Sequence, residues 1–468
     1  MADGFVGEFL PSLAGLTQGS PISPTLFTVY ADGLIRFLHM VCPDVGPKLS
    51  NGVRVSALGF ADDFKLFAKS PEELTLLLDA FSLGCSAQGM VINENKSEVM
   101  VFPHGAAPSD FAPSCQGVPL AVVDTKRCLG VLLSSRLGMG ATFPLLRNKM
   151  WAAWSAIMRQ YGNLQCAPSV GLLLKVLLAC VVPTASYACE IWACPSFATR
   201  HGSKHQLEAD FLYMLKMLLG VRATTPTPVV LRELGVIPLN FQWLKRVATF
   251  WNSLQALPPG HLFSVVFRDS CALATEGAAS WAGSFVSALR LLQYPSPAAL
   301  LQALPVDIRA LKCLIQDQVQ QPWENLHISP RLCPTQGAQL CKYFRWFLPP
   351  SAAARTKLLL LRASVSRLRL FHRFRMGVHG LPIDALRMRR PPVPRLHRFC
   401  DMCPHDLLGD EHHFVFVCEA LAPLRASYSH LFANGGRSLS QFIWQDDLQG
   451  VVNFIWDAFV LRASLSHG

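Results

Sequence analysis

GLTQGSPISPTLF (Gly15–Phe27) and VRVSALGFADDFKLFAKS (Val53–Ser70) are the two stretches that decide the fold of this chain. In the first, Ser23 suits a helix N-cap and Pro24 suits the first helical turn, where the missing N–H of proline has no intrahelical partner to lose. Apolar residues then recur at helical spacing and predict a helix over 24–39 with one buried face. That face consists of Leu26, Phe27, Tyr30, Leu34, Phe37 and Leu38.

The second stretch has an acidic centre between two apolar runs. Residues around Leu58 and Phe60 lead into Asp62 and Asp63, and a strand-like pattern resumes at Phe64. This order predicts a hairpin with two acids at its tip. Adjacent carboxylates resist joint ionisation, so the pair requires a compensating cation, and oxygen ligands favour Mg²⁺ or Mn²⁺. Such carboxylates are typical of phosphoryl transfer through two metals about 3.5 to 4 Å apart.

Together, QGSPISPTLF and FADD resemble the palm of reverse transcriptases, specifically those of non-LTR (LINE-like) retrotransposons. Further segments follow in the order of that family. GMVINENKSEVMVF (Gly89–Phe102) resembles the segment after the catalytic hairpin, and CLGVLL (Cys128–Leu133) resembles the primer-grip hairpin, with a cysteine at the usual aromatic position. VVPTASYACEIW (Val181–Trp192) is similar to a motif of the thumb-side helices. The ordered resemblance covers residues 1–195, and a weaker one covers 372–420.

The resemblance implies a role for particular residues. Asp62 and Asp63 would be catalytic ligands of magnesium, and Lys96 would lie near the triphosphate and assist the leaving pyrophosphate. Leu129 and Gly130 would shape the primer grip. The pocket for the incoming nucleotide and the template would be lined by Gln18, Gly19, Ser20, Pro21, Phe60 and Ala61. The implied partners are an RNA template, a DNA primer and deoxynucleoside triphosphates.

One ligand of the family pattern has no counterpart at the expected place. The family has an earlier aspartate on a palm strand several tens of residues before the QGSP loop, whereas only fourteen residues precede Gly15. Asp3 lies too close to that loop, and Asp32 lies within the following helix. Because this catalysis depends on positioning and electrostatics, we expect an N-terminally truncated fragment that is inactive, or nearly so, by itself.

Composition sets the broad class of the protein. The chain has 468 residues, of which 51% are hydrophobic and 16% charged, which excludes a mainly disordered protein. The net charge of +11 favours an anionic partner such as nucleic acid. Fifteen scattered cysteines without a secretory signal indicate thiols in a reducing compartment, so we expect a nuclear or cytoplasmic ribonucleoprotein without disulfide-linked partners. The apolar stretch Val170–Trp192 is interrupted by polar residues and indicates a buried helix rather than a membrane span.

The predicted fold class is an α+β partial polymerase palm followed by a mainly α-helical thumb and connection region and a small C-terminal zinc knuckle. Four domains are expected. The partial palm, without the fingers and the first palm strand, covers 1–135, and a thumb-like helical region covers 136–225. A helical connection covers 226–345, and a basic arm with the knuckle and C-terminal helices covers 346–468.

The basic arm stands out by its charge. Between Lys342 and Arg398 there are fourteen Lys or Arg and a single acid, Asp384. Guanidinium groups bind phosphate in a bidentate manner, so this segment is predicted to bind nucleic acid. The residues chosen for contact are Arg373, Arg375, Arg387, Arg389 and Arg390. The alternative is a solvated face that keeps an apolar protein in solution.

The arm is followed by Cys400, Cys403, His413 and Cys418, a C-x₂-C-x₉-H-x₄-C spacing that suits a closed tetrahedral Zn²⁺ site with a structural role. His412 is the competing ligand, and HFVFVC resembles the knuckle that follows the polymerase domain in the same retrotransposons. The predicted function is therefore part of an RNA-directed DNA polymerase that transfers nucleotides to a primer 3′-OH through two metals. The alternative is a non-catalytic nucleic-acid-binding protein that uses the arm and the knuckle.

Overall fold

The computed structural model describes residues 20–102, 111–136, 140–162, 169–198, 206–302, 304–317, 343–433 and 438–465. The chain divides into two compact units. The first unit comprises Met1–Thr142 and Leu257–Leu273. The second unit comprises Phe143–Ala256 and Ala274–Gly468.

All the strands of the described residues belong to the first unit. In chain order they are β1 Ala57–Phe60, β2 Asp63–Leu66, β3 Glu98–Val99, β4 Ser114–Cys115, β5 Val118–Pro119, β6 Ala121–Val122, β7 Thr125–Cys128 and β8 Val131–Ser134. They pair as β1 with β2, β3 with β6, β4 with β5 and β7 with β8. The β3–β6 pair is parallel and the other pairs are antiparallel.

Helices make up most of the remaining described chain. They are α1 Ser23–Val41, α2 Pro71–Ala87, α3 Thr142–Gly162, α4 Val170–Ala185, α5 Cys189–Ala198, α6 Gln206–Leu219, α7 Thr227–Leu234, α8 Leu239–Gln255, α9 Leu262–Thr275, α10 Trp281–Leu291, α11 Ala352–Leu359, α12 Val365–Arg375, α13 Pro382–Ala385, α14 Ala422–Ser427, α15 Ser429–Phe432, α16 Leu439–Ile443 and α17 Leu448–Leu465. Residues 308–317 are helical as well. An α+β region followed by a mostly helical region agrees with the predicted fold class.

Helix α1 confirms the predicted helix but starts earlier than expected. Ile22 occupies the N-cap position with φ −88° and ψ −22°, and no side chain caps the helix. The predicted N-cap role of Ser23 is therefore wrong, because the backbone is already helical at Ile22 and Ser23 lies in the first turn. Proline stands in that first turn, as predicted.

The predicted apolar face of α1 is buried in its second half. Leu34 and Leu38 are fully buried with Leu77 of α2, whereas Leu26 and Tyr30 are about half exposed. Helix α2 ends at Ala87, and the carbonyl of the next residue, Gln88, accepts a hydrogen bond from the Tyr30 hydroxyl, so the end of α2 lies beside Tyr30.

The apolar stretch Val170–Trp192 has buried faces, as predicted, but it forms two helices rather than the one expected, with a break between Ala185 and Cys189. Leu177 and Val181 of α4 are fully buried, and Trp192 of α5 packs edge-on against Trp243 of α8 at 4.8 Å between ring centroids. No helix among the described residues is long and apolar enough to cross a membrane.

The C-terminal part of the second unit has an aromatic core. Three phenylalanine rings lie with their centroids within 6.3 Å of one another: Phe374 of α12, Phe459 of α17, and Phe414 between these helices in the chain. This core joins the predicted basic arm to the segment that holds the cysteines and histidines. The cysteines that the structure describes form no disulfide with one another.

Candidate functional site

The tip of the β1–β2 hairpin carries Asp62 and Asp63. Phe60 pairs with Asp63, so Ala61 and Asp62 form a two-residue loop. Ala61 has φ 52°, a left-handed conformation that suits two-residue hairpin loops because their twist matches that of the strands. The predicted hairpin with an acidic tip is confirmed, and both aspartates are exposed.

The base of the β1–β2 hairpin, away from its acidic tip, is anchored in the core of the first unit. Ala57 is buried, and Phe64 meets Phe81 of α2 edge-on at 5.3 Å between ring centroids. Gly59 allows a close approach, since a Cβ atom there would lie 3.1 Å from the Phe64 ring and 3.6 Å from Ile35. The hairpin therefore presents both carboxylates to solvent from an anchored base, an arrangement that can hold a hard divalent cation.

The other residues predicted around this pair are only partly described. Gln18 and Gly19 lie outside the described residues. Ser20 and Pro21 precede Ile22, the N-cap residue of α1, and Phe60 is 66% exposed beside the hairpin loop. Within the described ranges, the one group of three or more metal-binding side chains lies elsewhere, so no third such residue joins Asp62 and Asp63 there.

Lys96 ends a short 3₁₀ turn, Glu94–Lys96, and its side chain is exposed. Its backbone carbonyl accepts a hydrogen bond from Nζ of Lys126 at 3.0 Å. The same ammonium lies 2.6 Å from a carboxylate oxygen of Glu98. Lys126 thus fixes the backbone around Lys96 and leaves the Lys96 ammonium in solvent.

The predicted primer-grip segment is a second hairpin, β7–β8. Leu129 and Gly130 form its two-residue loop with φ 47° and 84°, and positive φ at both positions is typical of a type I′ turn. Thr142, a buried residue that the sequence did not single out, holds this hairpin. Its hydroxyl donates to the carbonyl of Leu132 at 2.9 Å and accepts from the amide of Leu132 at 3.0 Å.

Cys400, Cys403, His413 and Cys418 come together in the second unit, with their ligand atoms all within 4.8 Å of one another. Sγ of Cys400 lies 3.8 Å from Sγ of Cys418, and Sγ of Cys403 lies 3.5 Å from Nε2 of His413. Tetrahedral Zn²⁺ with usual bond lengths separates two sulfurs by about 3.8 Å and sulfur from nitrogen by about 3.6 Å. The donor set and its spacing therefore fit a closed four-coordinate metal site.

The two candidate histidines differ in position. His413 is buried within the cluster, whereas His412 is exposed and its ring lies 5.1 Å from the ring of Phe416. His413 begins a π-helical turn, His413–Val417, and its amide donates to Oδ1 of Asp410 at 3.0 Å. Of the two, His413 belongs to the cluster.

Neighbouring groups hold the cluster in place. The amide of Met402 donates to Sγ of Cys400 at 3.5 Å, and Arg425 donates to the carbonyl of Cys418 at 2.8 Å. Burial raises the pKa of the Cys418 thiol to about 12, and it raises the pKa of Cys400 as well. A divalent cation would displace these protons, since thiolates are the metal ligands.

Arg375, predicted to contact nucleic acid, is fully buried in the second unit. Its guanidinium forms an ion pair with Glu233 of α7 and lies 4.5 Å from the ring centroid of Trp444. The proposed contact is wrong for this residue, because its donors face the protein interior. The neighbouring Arg373 is exposed, and its Nε donates to the carbonyl of Gly220 at 2.6 Å.

The Glu233 carboxylate is the centre of a buried network that the sequence did not reveal. Besides Arg375, it accepts from the Tyr343 hydroxyl at 2.6 Å and lies 2.9 Å from Nδ1 of His372. Burial alone raises the pKa of Glu233, but the charge of Arg375 and the contact with His372 outweigh this and hold that pKa at about 2. The carboxylate is thus ionised in the interior.

The arginines predicted for contact beyond Arg375 differ in exposure, and Arg387 is only partly exposed. Asp384, the single acid, is buried and lies 3.0 Å from Arg387 and 3.3 Å from Arg222. Arg389 and Arg390 are exposed. The structure therefore leaves a smaller cationic surface than predicted, with Arg387 partly neutralised.

Known proteins resemble this chain over the segment that contains the β1–β2 hairpin. Residues 3–133 match the family described as reverse transcriptase (RNA-dependent DNA polymerase). The chain is 38% identical over 89 residues to the Retrovirus-related Pol polyprotein from the type-2 retrotransposable element R2DM of Drosophila melanogaster, which covers 19% of this chain and 8% of that protein. It is 31% identical over 96 residues to the corresponding polyprotein of the type-1 element R2 of Nasonia vitripennis, covering 20% and 9%. The matches span less than a tenth of these relatives.

Proposed function

Because residues 3–133 belong to a reverse transcriptase of the non-LTR retrotransposon type, we propose that this chain is part of an RNA-directed DNA polymerase. The observation that carries the proposal is the anchored hairpin with Asp62 and Asp63 at its tip, inside the matched segment. Its substrates would be deoxynucleoside triphosphates, a DNA primer and an RNA template. The proposed domains are the palm, thumb, connection and arm ranges given above.

Asp62 and Asp63 are the residues that would hold Mg²⁺ or Mn²⁺. Their donor set consists of hard, ionisable oxygens open to solvent, which fits these cations. When bound, the metal ions would stabilise the charge on the reacting phosphate. The protein's own contribution is the anchored hairpin, which places both aspartates at its tip.

The other palm residues are proposed to position the substrates. The exposed ammonium of Lys96 can neutralise a triphosphate, and the tight β7–β8 loop at Leu129 and Gly130 can support the primer end. The nucleotide and template would meet Gln18, Gly19, Ser20, Pro21, Phe60 and Ala61.

The Cys400–Cys418 cluster is proposed to hold a structural Zn²⁺. The support is the match between its sulfur and nitrogen spacings and a tetrahedral site. Four protein ligands leave no open position for chemistry, so the metal would stabilise the fold around the arm. Arg373, Arg387, Arg389 and Arg390 are proposed to contact nucleic-acid phosphates.

The alternative, a non-catalytic nucleic-acid-binding protein, is favoured by one observation. Within the described ranges, no third metal-binding side chain joins the hairpin pair. Primer extension on an RNA template distinguishes the two functions. Because we expect at most weak synthesis from this chain by itself, even trace product that disappears in Asp62→Ala supports the polymerase, whereas salt-sensitive RNA binding without any synthesis supports the binding protein.

A further inference from the structure

Lys126 joins the predicted primer-grip hairpin to the turn that carries Lys96. It lies on β7, shortly before the loop position Leu129. Its ammonium donates to the backbone carbonyl of Lys96 at 3.0 Å and lies 2.6 Å from a carboxylate oxygen of Glu98 on β3. Lys126 thus links the segment proposed for the primer end to the segment proposed for the triphosphate, and the proposed function gives it no task.

The bond from Lys126 differs in reach from the other bonds of the Lys96 turn. The amide of Lys96 donates to the carbonyl of Asn93 at 3.1 Å. The amide of Ser97 donates to the carbonyl of Glu94 at 3.0 Å. These bonds join near neighbours and set the shape of the turn. The bond from Lys126 spans 30 residues, and an ammonium at the C-terminal end of a helical turn is favoured by the partial negative charge of the last carbonyls. It therefore fixes the place of the turn against β7.

The charges around Lys126 indicate a positioning role rather than a direct contact with phosphate. Two of the three donors of its ammonium are used by Lys96 and Glu98, and the Glu98 carboxylate cancels its charge. The side chains of Lys126 and Glu98 are 34% and 31% exposed, and ion pairs near the surface add little to stability. Lys96, whose side chain is exposed, is then the cation that the turn presents to an anion. Loss of the pair should therefore displace Lys96 without unfolding the first unit.

We propose that Lys126 is a positioning residue for the nucleotide triphosphate. It holds the Lys96 turn against β7, so the Lys96 ammonium meets the triphosphate at a set distance from the loop at Leu129 and Gly130. The inference rests on the proposed polymerase function and names a residue that acts through Lys96. A charge-assisted contact depends on the position of its donor, so a small displacement of the turn lowers the affinity for a triphosphate.

The test measures how well a triphosphate shields Lys96 in the full chain. The chain is loaded with zinc and bound to an RNA template with a DNA primer that ends in a dideoxynucleotide, so that no synthesis occurs. Acetic anhydride at low concentration acetylates exposed lysines, and mass spectrometry reports the acetylated fraction of Lys96 as dATP is added at constant Mg²⁺. The dATP concentration that halves acetylation gives the apparent affinity. Lys175, an exposed lysine of α4, should be acetylated equally at every dATP concentration.

Four variants separate the position of Lys96 from the charge around it. Lys126→Met keeps a long side chain without donors, and the affinity for dATP should fall about tenfold. Lys126→Met/Glu98→Gln also removes the acid that Lys126→Met leaves unpaired, and it should lose nearly as much affinity. Glu98→Gln keeps the bond to the Lys96 carbonyl and should retain the wild-type affinity. Lys126→Arg keeps a cationic donor and should recover most of the affinity lost in Lys126→Met.

Lys69→Met is the matched control, because Lys69 forms a similar ion pair with Glu73, at 3.3 Å, in the same unit. It should leave the affinity for dATP unchanged. Circular dichroism reports whether each variant is folded. If Lys126→Met does not fold, the double variant decides the question, since it leaves no unpaired acid.

Wild-type affinity in Lys126→Met or in the double variant overturns the inference, and in the second case the charge of Glu98 alone explains the loss. An equal loss in Lys69→Met overturns it as well. If dATP does not shield Lys96 even in the wild type, the proposed role of Lys96 fails together with that of Lys126. Shielding that persists unchanged in Lys126→Met removes the role of Lys126 and leaves that of Lys96 in place.

Discussion

Arg375 forms an ion pair with Glu233 although 142 residues separate them in the chain, and both side chains are fully buried. The pair joins α12 to α7 in the interior of the second unit. Buried ions lose their hydration, so such a pair is sustained by the hydrogen bonds around it, here from Tyr343 and the contact with His372. The segment with the highest density of arginines thus contributes one of them to the core.

Arg375→Met should destabilise the fold by about 3 to 5 kcal/mol, because it leaves the Glu233 carboxylate buried without its cation. Arg373→Ala, two residues away on the exposed face of the same helix, should cost at most about 1 kcal/mol. Urea unfolding followed by circular dichroism measures both. Equal losses in the two variants would contradict the interior role of Arg375.

The stability of the second unit should fall at acidic pH, because the Glu233 carboxylate becomes protonated there. Its pKa is about 2 in the folded chain against 4.5 for the unperturbed group, so its contribution is complete above about pH 4.5 and is lost as the pH falls towards 2. Urea midpoints of the wild type should therefore decline across this window. In Glu233→Gln the midpoint should be lower at neutral pH and change less between pH 4.5 and 2. A parallel decline in both proteins would refute the assignment.

The zinc content of the purified chain should be about one atom per molecule and should fall close to zero in Cys403→Ser. The histidines provide a matched pair of variants: His413→Ala should lose the metal, and His412→Ala, with its ring outside the cluster, should keep it. Atomic absorption gives the content. Retention of zinc by His413→Ala would show that the cluster is not the site.

Removal of the exposed arginines Arg389 and Arg390 should weaken RNA binding and reduce its salt dependence. Because two fewer phosphates of a single strand are then neutralised, the slope of log K against log salt should fall by about 1.4. Arg290→Ala/Arg309→Ala removes the same charge from exposed positions elsewhere in the second unit and is the control. Filter binding at several salt concentrations measures the slopes. An identical change of slope in both double variants would contradict the proposal that the arm binds nucleic acid.

Much of this arrangement could be predicted where the signal is local. The acidic hairpin, the β7–β8 turn and the spacing of the Cys/His cluster involve residues close in sequence, so periodicity, turn chemistry and ligand spacing were sufficient. Arg375 could not be distinguished from Arg373 in this way, because its partner lies on a distant helix. The contact of Tyr30 with Gln88 and the buried network around Glu233 likewise depend on segments that meet only after folding.

The most direct test of the central claim is whether the Asp62–Asp63 hairpin binds a divalent metal. Fe²⁺ can replace Mg²⁺ in the zinc-loaded chain, and ascorbate with peroxide then cleaves the backbone near the bound iron. We expect cleavage close to residues 60–64 that excess Mg²⁺ suppresses and that Asp62→Asn abolishes, while Asp32→Asn, an exposed acid of α1, leaves it unchanged. Absence of cleavage at the hairpin, or cleavage that persists in Asp62→Asn, would contradict the account.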